Sequence, residues 1–230
     1  MSAVYKLYFI TNSILVASMS WQFKHPCTIM VSGPTGSGKT KFVERVLIEH
    51  RFSVLHNRVF WIYSEWQPAY DKLQHLLPYI HFQKGLGDEN EFYNSLSNMN
   101  LNLVILDDQM SSVGNSKTLS RLFTEGSHHR NLSIIYIVQN LFDRGRSHRT
   151  VSLNAQYFVL FKNPRDKSQI DSIARQMYPG KTKFLREAFQ DATKQPFTYL
   201  VIDMHPNTSE EERVLTNIFS GETPTVYQPE

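Results

Sequence analysis

The sequence predicts an α/β domain built on a mainly parallel central sheet, and three observations carry that expectation. Strand-like runs rich in β-branched and aromatic residues alternate with helix-periodic runs from about residue 27 onward, the pattern of parallel strands joined by helical crossovers. Several of the runs are apolar at every position, as strands buried on both faces should be. A glycine-rich segment separates the first of these strands from the first of the helices.

In chain order the expected strands are 28–32, 58–63, 101–106, 132–138, 156–161 and 199–202, with a weaker candidate at 79–82. Phe42, Val43, Val46 and Leu47 give the segment after the glycines one apolar helical face. Ile170, Ile173, Ala174 and Met177 repeat that spacing over 167–177, and Phe184, Leu185, Ala188 and Phe189 repeat it again. Connections are expected at 85–90, 114–117 and 143–150, none long enough to set a second domain apart from the first. The organisation expected is an N-terminal extension over 1–22, one domain over 23–220 and a flexible tail over 221–230, where two prolines interrupt any hydrophobic period.

Composition narrows the function classes. In 230 residues, 41% hydrophobic and 20% charged with 10 glycines and 10 prolines, neither collagen, coiled coil nor general disorder fits. A net charge of +3 permits a polyanionic partner without demanding one. The single cysteine, Cys27, rules out an internal disulfide, argues against structural zinc and suits a reducing compartment. The longest apolar run, 7–19, is interrupted by Thr11, Asn12 and Ser13 and falls short of the roughly 18 residues that span a bilayer. Lys6 and the small residues Val16, Ala17 and Ser18 make only a weak signal-peptide pattern, so the expectation is an intracellular protein that is not secreted and does not engage a membrane. Met19 is a possible alternative start.

The strongest signal is Gly33-Pro34-Thr35-Gly36-Ser37-Gly38-Lys39-Thr40, which satisfies the phosphate-binding P-loop pattern at every specified position, between an apolar strand and an amphipathic helix. That chemistry needs consecutive backbone N–H groups and a helix N-terminus to converge on phosphate oxygens with no side chains in the way. Lys39 would neutralise the β- and γ-phosphates of ATP, and the Thr40 hydroxyl would ligate Mg2+. A glycine-rich turn that merely caps a helix is the competing reading.

An acidic element is expected at the end of a neighbouring buried strand, and Leu101 to Leu106 followed by Asp107-Asp108 reads as a Walker B element. Asp107, expected first beyond the strand, would hold Mg2+ with Thr40, and Asp108 would orient or deprotonate the attacking water. P-loop kinases need no acid there, so a second carboxylate favours hydrolysis over transfer to a small acceptor. The apolar strand 134–138 ends in Gln139, placed to sense the γ-phosphate or hold the water. These features describe a P-loop NTPase of the additional-strand type.

A more specific resemblance rests on longer segments. Ser127-His128-His129-Arg130-Asn131-Leu132-Ser133, running into Ile137-Val138-Gln139-Asn140-Leu141-Phe142, is followed by Arg149-Thr150-Val151-Ser152-Leu153-Asn154 and Leu160-Phe161-Lys162-Asn163-Pro164-Arg165-Asp166. Ala174-Arg175-Gln176 and Asp191-Ala192-Thr193 come next. In this order they resemble the genome-packaging ATPases of the FtsK/HerA superfamily encoded by Polinton (Maverick) elements, adintoviruses and related large DNA viruses. The resemblance spans about Phe23 to Phe219; the first 22 residues depart from it. It implies a three-layer RecA-like ATPase that assembles as a homo-oligomeric ring and drives double-stranded DNA into a capsid. Its implied partners are DNA, further copies of itself and capsid vertex or portal proteins, in the host nucleus or a cytoplasmic virus factory, with possible association with the virion. A cellular or domesticated P-loop ATPase or helicase, and a P-loop kinase, are the alternatives.

Such motors complete their active sites with an arginine from the adjacent subunit, because charge develops on the transferring phosphoryl group. Arg130, Arg144, Arg146, Arg149 and Arg165 are the candidates, with Arg149 favoured because it follows Gln139 on the nucleotide side and Arg130 next. The segment 143–149, with three arginines and His148 against one acid, is a candidate for gripping DNA phosphates. His128 and His129 suggest a metal only superficially. Trp61, Tyr63 and Trp66 are weighed between covering an adenine and ordinary core packing.

Overall fold

The computed structural model describes residues 5–8, 21–107, 120–126, 130–142 and 146–229, with the backbone alone for 5–8, 125–126 and 146–148. In chain order the elements are β1 (Tyr5–Tyr8), β2 (Thr28–Ser32), α1 (Lys39–Ile48), β3 (Arg58–Tyr63), α2 (Pro68–Leu76), β4 (Ile80–Lys84), α3 (Glu89–Ser95) and β5 (Asn102–Asp107). Then follow a π-helical turn at Leu122–Gly126, β6 (Leu132–Val138), α4 (Arg146–Asn154), β7 (Tyr157–Phe161), α5 (Ser168–Met177), α6 (Thr182–Ala192), β8 (Tyr199–Asp203), β9 (Val214–Thr216) and β10 (Thr225–Gln228). The α/β class expected from the sequence is observed.

The chain divides into two compact units. One contains Phe23–Val31 and Phe52–Gln156, with strands in the order β2-β6-β5-β3-β4. The pairings of β3 with β4, β3 with β5 and β5 with β6 are all parallel. Leu103, Val104, Ile105 and Leu106 are fully buried, and so is Trp61, which pairs with Ile105 on one side and Phe82 on the other. Burying each aliphatic side chain contributes about 1.5–3 kcal/mol, against about 0.5–1.5 kcal/mol net for a ladder hydrogen bond, so apolar burial decides where these strands lie.

The other unit contains Met1–Gln22, Ser32–Arg51 and Tyr157–Glu230. Its strands run in the order β1-β10-β9-β8-β7, every pairing antiparallel. Here the structure corrects the expectation of a flexible tail: residues 225–228 are a strand paired with β9, and Tyr227 is buried with its hydroxyl donating to Asp191 at 2.8 Å. Residues 5–8 of the expected extension pair with that same strand. A second correction concerns 143–150, expected as a connection. α4 begins at Arg146, so Arg149 sits on a helix; 143–145 lie outside the described residues.

The N-terminal edge of the parallel sheet is held by a polar cluster. His25 Nε2 donates to Asn131 Oδ1 at 2.9 Å, which leaves Nδ1 as the acceptor for the Ser133 hydroxyl at 2.7 Å and His56 Nε2 at 3.1 Å. The Cys27 amide donates to the same Ser133 oxygen at 3.2 Å, and the Ser53 hydroxyl accepts from the His25 amide at 2.9 Å. Burial and then the neighbouring His25 push the His56 pKa down to about 3 from 6.5, and burial lowers His25 as well. Both imidazoles are therefore neutral in the fold while the unfolded chain takes up protons below pH 6.5. Stability is expected to fall as pH drops from about 6.5 towards about 3. The His56→Gln variant should flatten that slope in denaturant titrations across this window, and an unchanged slope counts against the cluster as its source.

Candidate functional site

The P-loop is built where β2 ends and α1 begins. Gly33 is buried, and a Cβ there would lie 2.7 Å from Phe161 Cβ and 2.7 Å from Ser37 Oγ, so only glycine follows this path without displacing the strand beside it. Gly36 and Gly38 have φ of +78° and +106°, in the left-handed region that side chains resist. Gly38 is the N-cap of α1, and no side chain caps the helix. The first-turn N–H groups, which have no partners within a helix, thus open onto the loop without a side-chain oxygen across them.

Two features fit this cradle to phosphate. Ser37 Oγ is buried with no hydrogen-bond partner, a polar atom of the kind a ligand satisfies. The Lys39 ammonium curls over the loop and donates to the carbonyls of Gly33 at 2.6 Å and Pro34 at 3.0 Å, so it stands at the loop where phosphate charge would fall. Thr40 follows, half-buried in the first turn.

The loop is anchored at both ends. Phe42 packs edge-on against Phe161, Tyr199 and Phe219 at 6.1, 4.7 and 5.1 Å between centroids. Arg45 pairs with Glu222 at 2.7 Å and stands 4.1 Å over the Phe219 ring. At the other end the Ser32 hydroxyl donates to Gln169 Oε1 at 3.5 Å, and Gln169 Nε2 donates to Asp166 Oδ2 at 3.0 Å. The Ser168 hydroxyl holds the Asp166 carboxyl below the ordinary carboxylate range. The segment Asn163-Pro164-Arg165-Asp166 is thereby joined, through Gln169, to the residue that precedes the P-loop.

In the other unit, Asp107 is the last residue of β5 rather than the first beyond it, because its backbone continues the ladder opposite Ile137. It is buried and accepts hydrogen bonds from the Tyr70 hydroxyl and from Gln67 Nε2, the latter at 3.4 Å. Sequence reasoning missed Tyr70, whose only signal is an aromatic spacing shared with Tyr63 and Trp66 ahead of the Pro68 helix start. The Tyr70 ring is gripped by Trp61, Phe82, Trp66 and Tyr63 at 5.3 to 5.8 Å. Core packing is thus what Trp61, fully buried, does; the cluster fixes the donor to Asp107.

Gln139 lies just beyond β6, exposed, two residues past the register partner of Asp107 on the same edge. Arg130 lies at the opposite edge: it precedes Leu132, the partner of Asn102 at the start of β5, and its guanidinium donates to Leu96 O at 3.3 Å and stands 5.0 Å over Tyr93. Arg149 and Arg165 are exposed. Asp108, His128, His129 and Arg144 lie outside the described residues, as do the side chains of Arg146 and His148.

The Thr40 hydroxyl in one unit and the Asp107 carboxylate in the other are each a hard oxygen donor of the kind that suits Mg2+. Among the described residues there is no group of three or more His, Cys, Asp or Glu placed to hold a metal, and no helix long and apolar enough to cross a membrane.

No protein-family model matches the chain, and neither does any curated protein sequence. Solved structures do. The genome-packaging NTPase B204 of Sulfolobus turreted icosahedral virus 2, in complex with sulfate, aligns over 89% of this chain and 96% of its own with a TM-score of 0.53 and 12% identity. The same protein in complex with ATP-γS aligns over 88% of this chain and 97% of its own, again at 0.53 and 12%. B204 of Sulfolobus turreted icosahedral virus, a DNA-packaging ATPase, aligns over 89% and 98% with a TM-score of 0.51 and 11% identity. The chain shares the fold of these viral NTPases over nearly its whole length.

Proposed function

We propose that this chain is an ATP-hydrolysing motor that translocates double-stranded DNA and packages a viral or transposon genome into a capsid. The observation that carries the reading is a complete P-loop, glycine-only at Gly33 and left-handed at Gly36 and Gly38, on a fold shared with B204 over 89% of this chain. B204 is described as a genome-packaging NTPase and has been seen with ATP-γS and AMPPCP, which supports ATP as the ligand here. Action inside the host cell, in the nucleus or a cytoplasmic virus factory, belongs to the same reading.

In this mechanism the N–H groups of residues 35–40 and the positive end of α1 receive the phosphates, and Lys39 exchanges its loop carbonyls for phosphate oxygens. Thr40 and Asp107 would hold Mg2+, which would supply positive charge to offset that of the nucleotide phosphates. Tyr70 and Gln67 orient the Asp107 carboxylate. Asp108 orients or deprotonates the attacking water, and Gln139 senses the γ-phosphate or holds that water. Arg149 of a neighbouring copy in a ring supplies the cation for the transferring phosphoryl group. The basic 143–149 segment grips DNA phosphates, and capsid vertex or portal proteins receive the DNA.

ATP turnover by the purified full chain should rise on adding long double-stranded DNA, and the stimulation should weaken steeply with salt; turnover indifferent to DNA would turn the reading away from a motor. Lys39→Ala should lower kcat by about 10²- to 10³-fold, and Asp108→Asn should do so while leaving ATP affinity nearly intact. Tyr70→Phe, which removes one donor and keeps the ring, should lower magnesium-dependent turnover about 10- to 100-fold with metal-free nucleotide binding unchanged. Mixing Lys39→Ala with Arg149→Ala subunits should restore some of the activity; no recovery at any ratio removes Arg149 as the arginine given in trans.

A further inference from the structure

Phe197 is the one exposed phenylalanine, tyrosine or tryptophan ring among the side chains described in its unit, 70% exposed beside the phosphate loop. Its Cδ1 lies 3.3 Å, and its Cβ 3.5 Å, from the point a Cβ on Gly38 would occupy, with the buried Phe161 ring 3.5 Å from that point. The two phenyl groups therefore stand against the N-cap of α1, one in the core and one in the open.

The backbone that presents this ring is strained. Gln195 to Thr198 form a turn in which the Thr198 hydroxyl donates to Gln195 O at 2.7 Å, and Phe197 takes a φ of +65° in its third position. Proline at the second position and a positive φ at the third are the marks of a type II turn, where glycine sits without strain. Phenylalanine there strains the backbone and gains little burial, which is intelligible if the ring serves something outside the fold.

We infer that Phe197 is the platform on which the base of a bound nucleoside triphosphate stacks. The inference rests on the phosphate reading of the P-loop proposed above. A nucleotide whose phosphates meet the first turn of α1 must leave its ribose and base near that turn, and Phe197 offers an accessible apolar face against the turn's first residue. Backbone N–H groups recognise phosphate alone, so they add nothing for the base; a phenyl face adds affinity by stacking but reads no base edge. Phe197 thus strengthens binding of ATP and GTP alike, and discrimination between them has to come from other groups.

The test is calorimetric titration of the full-length protein with the magnesium complexes of ATP-γS and GTP-γS and with inorganic tripolyphosphate, for the wild type, Phe197→Gly and Phe197→Trp. Phe197→Gly relieves the positive φ, so its thermal midpoint should equal or exceed that of the wild type and loss of folding does not confuse the reading. Both nucleotides should bind it roughly 5- to 100-fold more weakly, tripolyphosphate should bind unchanged, and Phe197→Trp should restore the nucleotide affinity. Nucleotide affinity within twofold of the wild type in Phe197→Gly overturns the inference, as does an equal loss for tripolyphosphate. If Phe197→Gly instead weakens DNA binding alone, the ring belongs to a nucleic-acid contact. A wild type that binds tripolyphosphate as tightly as nucleotide removes the base platform and leaves the phosphate site standing; one that binds neither removes both.

Discussion

Parallel pairing of strands buried on both faces is the constraint from which the acidic edge around Asp107 follows. Strands such as β5 and β6 tolerate almost no polar group along their length, because an unpaired buried polar atom costs about 1–3 kcal/mol. Polar chemistry is displaced to the strand ends, and parallel pairing brings those ends to one edge. The register Asp107 opposite Ile137 then leaves Gln139 two residues further along the same edge. Asp107 stays buried because Tyr70 and Gln67 both donate to it, so the aromatic cluster around Tyr70 serves the carboxylate as much as the core. The polar requirement and the packing requirement are met by the same side chains.

The phosphate loop is governed by the opposite demand, for absence of side chains. Gly33 is excluded from carrying a Cβ by Phe161 and Ser37, and Gly38 is kept to glycine by its positive φ. From within, the loop is held by Lys39 on the Gly33 and Pro34 carbonyls and by the Ser37 amide on Pro34 O. Its flanks are fixed as well: Ser32 through Gln169 on one side, and on the other Phe42 among Phe161, Tyr199 and Phe219. These contacts explain why the antiparallel strands of this unit matter to a site that none of them carries.

Much of this was legible in the sequence wherever one local pattern decided the outcome. The runs 28–32, 58–63 and 132–138 match their strands to the residue, each centred on a mostly β-branched and aromatic apolar core. The P-loop was legible because its chemistry dictates residue types at fixed spacing. β9 and β10, of three and four residues, were not, since a strand that short carries no period and is defined by the neighbour it pairs with. The same holds for Tyr70, whose partner is 37 positions away, and for the place of Asp107 within the ladder rather than beyond it. The segment around Arg149 reads as a loop because the charges of 143–149 outweigh any apolar face; the helix beginning at Arg146 buries Val151, too little to signal itself.

What each arginine would give up separates the candidates for the cation that the proposed mechanism needs. Arg130 donates to a carbonyl and shares the Tyr93 ring with Arg121, which stands 4.1 Å over it. Redeploying Arg130 forfeits a hydrogen bond and a cation–π contact worth about 0.5–1 kcal/mol at an exposed site, and it unsettles the segment whose Asn131 holds His25. Arg149 projects from a helix, which limits its placement to a few rotamers, and its exposure means that reaching a neighbouring copy costs chiefly side-chain entropy. Arg165 is exposed too, but its backbone is tied into the Asn163 turn, whose amide contact at 3.1 Å fixes the loop beside Asp166. A residue that must act outside its own fold is best supplied where the fold asks least of it, and on that ground Arg149 is the better suited of the three.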